Sequence, residues 1–119
     1  MEKQNLFDKA ISWARGKGFS GIRANIEGFE TPSSFRRVGD EEDSIIPDIT
    51  GKKLGTHNFL EISMKSEEVG LQVSKWKLLS SLAAAKGGKL FLLAPRGHKA
   101  FTEKLVKDHR LPAQVINLS

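Results

Sequence analysis

The chain contains no cysteine. That excludes a disulfide framework, a zinc–thiolate site and a thiol nucleophile. No stretch approaches the roughly 18 apolar residues of a membrane span. The first residues lack the charged-then-apolar layout of a signal peptide. Repeats and low-complexity segments are absent. The three histidines, His57, His98 and His109, are scattered, so a histidine metal site is not expected. These absences predict a soluble, cytoplasmic protein. With 119 residues the chain is expected to form one domain, long enough to bury a core without staples.

What is present is positive charge. The formal net charge is +5, and the basic residues are spread along the chain rather than gathered in a tail. They include Arg36-Arg37, Lys52-Lys53, Lys75, Lys77, Lys86, Lys89, Arg96 and Lys99. Such a surface suits a polyanion. Nucleic acid, DNA in particular, is a candidate partner, against the alternative of a mildly basic domain that binds nothing anionic; if it binds DNA, the protein is expected to associate with the nucleoid. Arg36, Arg37, Lys52 and Lys53 are the candidate phosphate contacts. The acidic run Asp40-Glu41-Glu42-Asp43 reads as a solvated loop.

Hydrophobic periodicity gives the element order. Asn5 can cap a helix over about 5–17, with Leu6, Ala10, Trp13 and Ala14 on one face and Gly16 and Gly18 at its end. Residues 22–26 alternate as a strand. Residues 28–43 read as a long polar loop, and loops of that length tend to be functional. Strands follow at about 45–50 and 57–65, joined by a turn over Gly51–Gly55. A second helix spans about 71–86, its apolar face including Trp76, which is expected in the core. The run Leu90–Ala94 has no alternation, the mark of a strand buried on both faces. A third helix over about 98–109 and a strand over 113–118 complete the order α-β-β-β-α-β-α-β. The expected fold class is α/β, a mixed sheet flanked by helices on both faces.

Two carboxylates stand out against this background. Asp48 and Glu61 lie in neighbouring strand segments, and ionised carboxylates are costly to bury unless they are paired or bind metal. If the strands pair, the two converge. Oxygen donors of this kind suit Mg²⁺, with Mn²⁺ as a substitute. A bound cation activates water and shields charge building on a phosphate. Alternation places Ser63 and Lys65 on the Glu61 face. Asp8, on the first helix, is a weaker candidate for a further carboxylate.

The arrangement Pro47-Asp48, a spacer, then Glu61-x-Ser63, in this element order, resembles the PD-(D/E)XK nuclease superfamily. The resemblance covers roughly Leu6 to Ala94. It implies a restriction-endonuclease-like fold with an αβββαβ core, here followed by a helix and a strand, and Mg²⁺-dependent DNA cleavage. Gln72 with Trp76 is similar to an extra motif of the exonuclease-type branch. Gln72-Val73, Leu78-Leu79 and the glycine-ended helix also resemble the Holliday-junction resolvase branch. The departure is at position 63, where the family normally carries lysine. Lys65, about 6.5 Å further along a strand, and Lys75 on the second helix are the two candidates for the displaced ammonium. The alternative is a DNA-binding or interaction subunit that has lost catalysis at Ser63. A homodimer, or a place in a larger DNA-processing system, is expected of so small a nuclease.

Overall fold

The computed structural model describes residues 3–36 and 44–118, the side chains of Lys3, Gln4 and Arg36 excepted. Arg37 and the acidic run 40–43 lie outside the described residues. Helix α1 (Lys3–Gly16) leads into strand β1 (Ser20–Ala24). The helix begins ahead of the expected Asn5 cap, which lies inside its first turns. Two short strands, β2 (Phe35–Arg36) and β3 (Ser44–Ile45), pair with each other as a separate ribbon. This ribbon lies partly within the segment expected to be loop.

The main sheet has the order β1-β4-β5-β6-β7, with β4 (Ile49–Lys53), β5 (Thr56–Ile62), β6 (Leu90–Pro95) and β7 (Ala113–Leu118). Strands β1, β4 and β5 form an antiparallel meander, whereas β6 runs parallel to β5 and β7 parallel to β6. Helix α2 (Val69–Ala85) connects β5 to β6, and α3 (Lys99–Asp108) connects β6 to β7. The expected mixed α/β sheet with three helices is therefore present. No described helix is long and apolar enough to cross a membrane.

Strand alternation sorts the core into two layers. Leu60 and Ile62 of β5 face α1, packing with its Leu6, Phe7, Ala10, Ile11 and Ala14. Phe59 faces the other way, toward Val73, Trp76, Leu79 and Ala83 of α2 and Leu105 of α3. Trp76 is fully in the core, as expected. In β6, Leu92 joins the second layer and Leu93 the first, which is why that segment carries no polar alternation.

Two strand boundaries differ from expectation, and both bear on the site. The segment read as one strand over 45–50 is broken: Ile45 ends the β2–β3 ribbon, and the β4 ladder begins only at Ile49. Pro47 has no N–H to donate to a ladder, and it turns the chain between the two pairings. The segment read as a strand over 57–65 ends at Ile62. Lys65 therefore lies beyond the strand, and alternation does not fix where it points. The β4–β5 turn narrows to Leu54-Gly55, both at positive φ (50° and 81°), as a two-residue hairpin turn of the I′ kind demands.

Candidate functional site

One step past the last ladder pair of β4 and β5, Ile49 with Leu60, stand Asp48 and Glu61. Both are buried, at 4 % and 2 % exposure. The two strands lock them reciprocally. The Asp48 backbone N–H donates to Glu61 Oε2 at 2.5 Å, and the Ile62 backbone N–H donates to Asp48 Oδ2 at 2.9 Å. Each carboxylate thus has one oxygen held by a backbone amide. The other two oxygens turn toward the same cation: Lys75 Nζ lies 2.8 Å from Glu61 Oε1 and 4.0 Å from Asp48 Oδ1.

Lys75 reaches this point from α2, which lies across β5 on the second layer. Its neighbours along the helix, Val73, Trp76 and Leu79, anchor that face in the core. The helix therefore positions the ammonium, and its stem is partly screened from solvent.

The electrostatics follow from this geometry. Among the described residues, one ammonium faces the two carboxylates. Burial pushes the Glu61 carboxyl up to about 7; the neighbouring Asp48 charge adds to the rise, and Lys75 with its hydrogen bond offsets only part of it. Burial pulls the Lys75 ammonium down, but the charges of Glu61 and Asp48 outweigh it, so its pKa stands above the ordinary lysine value. The donor set, two carboxylates whose Oδ1 and Oε1 turn toward one point, fits a hard divalent cation. In the structure the Lys75 ammonium marks that point. No group of three or more His, Cys, Asp or Glu residues suited to a metal occurs among the described residues. Asp48 and Glu61 are the only protein carboxylates the described residues place there, so waters or substrate oxygens would complete a coordination shell.

Ser63, where the family pattern carries lysine, is fully buried and committed elsewhere. Its N–H donates to Leu93 O of β6 at 2.9 Å. Its hydroxyl is 2.6 Å from that of Thr102 on α3, and Thr102 donates its own proton to His98 O at 2.8 Å. A threonine hydroxyl has one proton, so Ser63 is the donor in the first bond. Lys65 is exposed, and its backbone N–H donates to His98 Nδ1 at 2.9 Å. Lys65, Gln72 and Lys75 line one open cleft beside the strand end. Gln72 donates from Nε2 to Met64 O at 3.1 Å, while its Oε1 is buried with no partner among the described residues.

The remaining candidates separate. Alternation sends Lys52 to the carboxylate face and Lys53 to the opposite one, where its Nζ lies 5.4 Å from the centre of the Phe19 ring. Arg36 sits in the β2–β3 ribbon, its backbone opposite Ser44. Asp8 is exposed on α1, the helix on the other side of the sheet, and is not brought to the site. The sequence reading missed Thr102 and His98. Both act through tertiary hydrogen bonds from α3, and no local pattern encodes those.

Comparison with protein-family profiles, curated proteins and solved structures finds no match.

Proposed function

We propose that the chain is a metal-dependent nuclease that hydrolyses phosphodiester bonds in DNA, on a restriction-endonuclease-like fold. The observation that carries this reading is the convergence of Asp48 Oδ1 and Glu61 Oε1 on one buried point, with an ammonium beside it. The meander leading to two parallel strands, with the carboxylates at the junction of its second and third strands, supports it further.

Asp48 and Glu61 would hold Mg²⁺ or Mn²⁺. Once bound, the cation supplies a water of lowered pKa and shields charge on the phosphate. The chain's own residues do the rest. The amides of Asp48 and Ile62 fix the two carboxylates in place, so little reorganisation is needed on binding. Lys75, beside both carboxylates, would be placed to hold the attacking water or to neutralise charge on the phosphate oxygens. Lys75 is favoured over Lys65 because it alone of the two is in ionic contact with both carboxylates. Net positive charge draws the polyanion to the surface.

The test is a panel of labelled DNA forms incubated with Mg²⁺ or Mn²⁺. Cleavage is expected, and it should be abolished in Asp48→Asn. In parallel, either ion should raise the melting temperature of the wild type and leave Asp48→Asn unmoved, since a ligand bound to the native state stabilises it. DNA binding with neither cleavage nor a metal-dependent shift would replace the enzyme with a binding subunit whose catalysis was lost. The commitment of Ser63 to Thr102 is the observation that favours that second reading.

A further inference from the structure

The carboxylates end a row of side chains on one face of the β4–β5 pair. The next rung is Thr50 opposite Phe59, and the one after is Lys52 opposite His57. Each rung is two residues on, so the Lys52 rung lies about 13 Å from the carboxylates. Helix α2 leaves part of this face open. A cleft of about 400 Å³ stands over it. Thr50 and Phe59 form its floor, and Lys52 and His57 its far end. One wall is β1, where Arg23 is neutralised by Glu30 at 3.3 Å. The other is Lys86, at the C-terminal end of α2, whose Nζ lies 5.8 Å from the centre of the Phe35 ring. Phe35 in turn packs edge-on against Phe59, with 5.7 Å between centroids.

Two features of this cleft point to its ligand. Among the described residues Lys52 and Lys86 have no carboxylate partner, and Glu30 of the lining is paired with Arg23, so the described lining carries net positive charge. Its volume is that of a small-molecule site. It has room for one or two nucleotides and none for a duplex. The direction of the row matters as well: an extended strand with a phosphate at the carboxylates would run past Thr50 on β4 toward the lysines, beside the buried Phe59.

We propose that this cleft receives a single nucleic-acid strand leading away from the phosphate under attack, with Lys52, His57 and Lys86 meeting its phosphates. The chain would then act on a strand that is unpaired at the site. The proposal rests on the nuclease reading for its direction, although the cleft's affinity for a single strand does not depend on cleavage.

The test is fluorescence anisotropy in EDTA with a labelled short oligothymidylate and a labelled hairpin duplex. The wild type and a Lys52→Glu/Lys86→Glu variant are compared; both lysines are exposed, and melting curves check that the variant folds. The wild type is expected to bind the single strand more tightly than the duplex. The variant should lose about tenfold or more in affinity for the single strand, while its affinity for the duplex changes by less than about twofold. Equal or tighter binding of the duplex would overturn the proposal. So would single-strand binding that is absent in the wild type or unchanged in the variant. Metal-dependent cleavage with single-strand binding untouched by the variant would remove the cleft and leave the nuclease standing. Single-strand binding that the variant abolishes, in a protein that cleaves no DNA form, would do the reverse.

Discussion

Strand β5 has two faces with opposite chemistry. Leu60 and Ile62 look toward α1 into a cluster of aliphatic and aromatic side chains. Phe59, Glu61 and Ser63, one residue out of step, look toward α2 and α3, where apolar packing is interrupted by an ion triad and a hydroxyl pair. The first face holds the fold together and asks nothing of the solvent composition. The second stores negative charge in a buried place and is stable only while that charge is answered. A structural layer and a chemical layer thus share one backbone, and the difference between them can be tested by perturbing each in turn.

The largest effect is expected from Lys75→Met. It removes the ammonium that faces two buried carboxylates, a loss of about 3–5 kcal/mol for breaking a buried pair. Denaturant unfolding without divalent ions should show the loss, and added Mn²⁺ should recover part of it. DNA cleavage should fall about a hundredfold or more, whereas Lys65→Ala should cleave within a few-fold of wild type. Should Lys65→Ala be the dead variant, the exposed lysine does the chemistry and Lys75 is only a structural partner.

Leu60→Ala breaks the other face. A fully buried leucine replaced by alanine costs about 2–5 kcal/mol. Here Mn²⁺ should restore no more stability than it adds to the wild type. A specific rescue of Leu60→Ala by metal would erase the distinction between the layers.

Ser63→Lys places a lysine at the spacing found in the nuclease superfamily that the sequence resembles. Position 63 has no exposure and a hydrogen bond into α3, so a lysine there overfills the packed space and loses the Thr102 bond. The expected cost is about 1–3 kcal/mol by thermal or denaturant unfolding, with no gain in cleavage. A stable, more active Ser63→Lys would mean that α3 yields easily.

The last effect is a pH slope. A carboxyl whose folded pKa is raised binds its proton more tightly in the native state. In the metal-free protein, stability should therefore decline as pH rises from about 4.5, the ordinary value, to about 7, and then level off. The Lys75 ammonium has the same sign of dependence in a higher window: its contribution is complete below its ordinary value and is lost as pH climbs through the higher folded one. Urea unfolding across this range should show the acid-to-neutral decline in the wild type and a flatter profile in Glu61→Gln.

Much of this architecture is legible in the chain. The unbroken run Leu90–Ala94 and the broad apolar face of α2 locate β6 and α2 because each pattern reports burial directly. The convergence of Asp48 and Glu61 follows if their strands pair, but its register is set by the two-residue turn Leu54-Gly55 rather than by a turn over Gly51–Gly55. The strand ends are not. Alternation continues in the sequence through Met64 and Lys65, but a ladder stops where its partner strands stop, and that is a property of the sheet. The choice between Lys65 and Lys75 has the same origin. Proximity along a strand favours Lys65, while the docking of α2 delivers Lys75. The split of Lys52 and Lys53 follows from alternation alone and was there to be read.

The origin of the ammonium has a mechanical consequence. Asp48 and Glu61 are fixed to one another by the sheet, but Lys75 is tied to them only through the seating of α2. A slide of that helix by one turn, about 5.4 Å, exceeds the 2.8 Å contact and would withdraw the cation while leaving both acids where they are. The ion pair therefore works as a gauge of how α2 sits on the sheet: the charge balance of the buried acids, and with it their protonation, registers the position of a helix packed by Trp76 and Leu79 a few residues away.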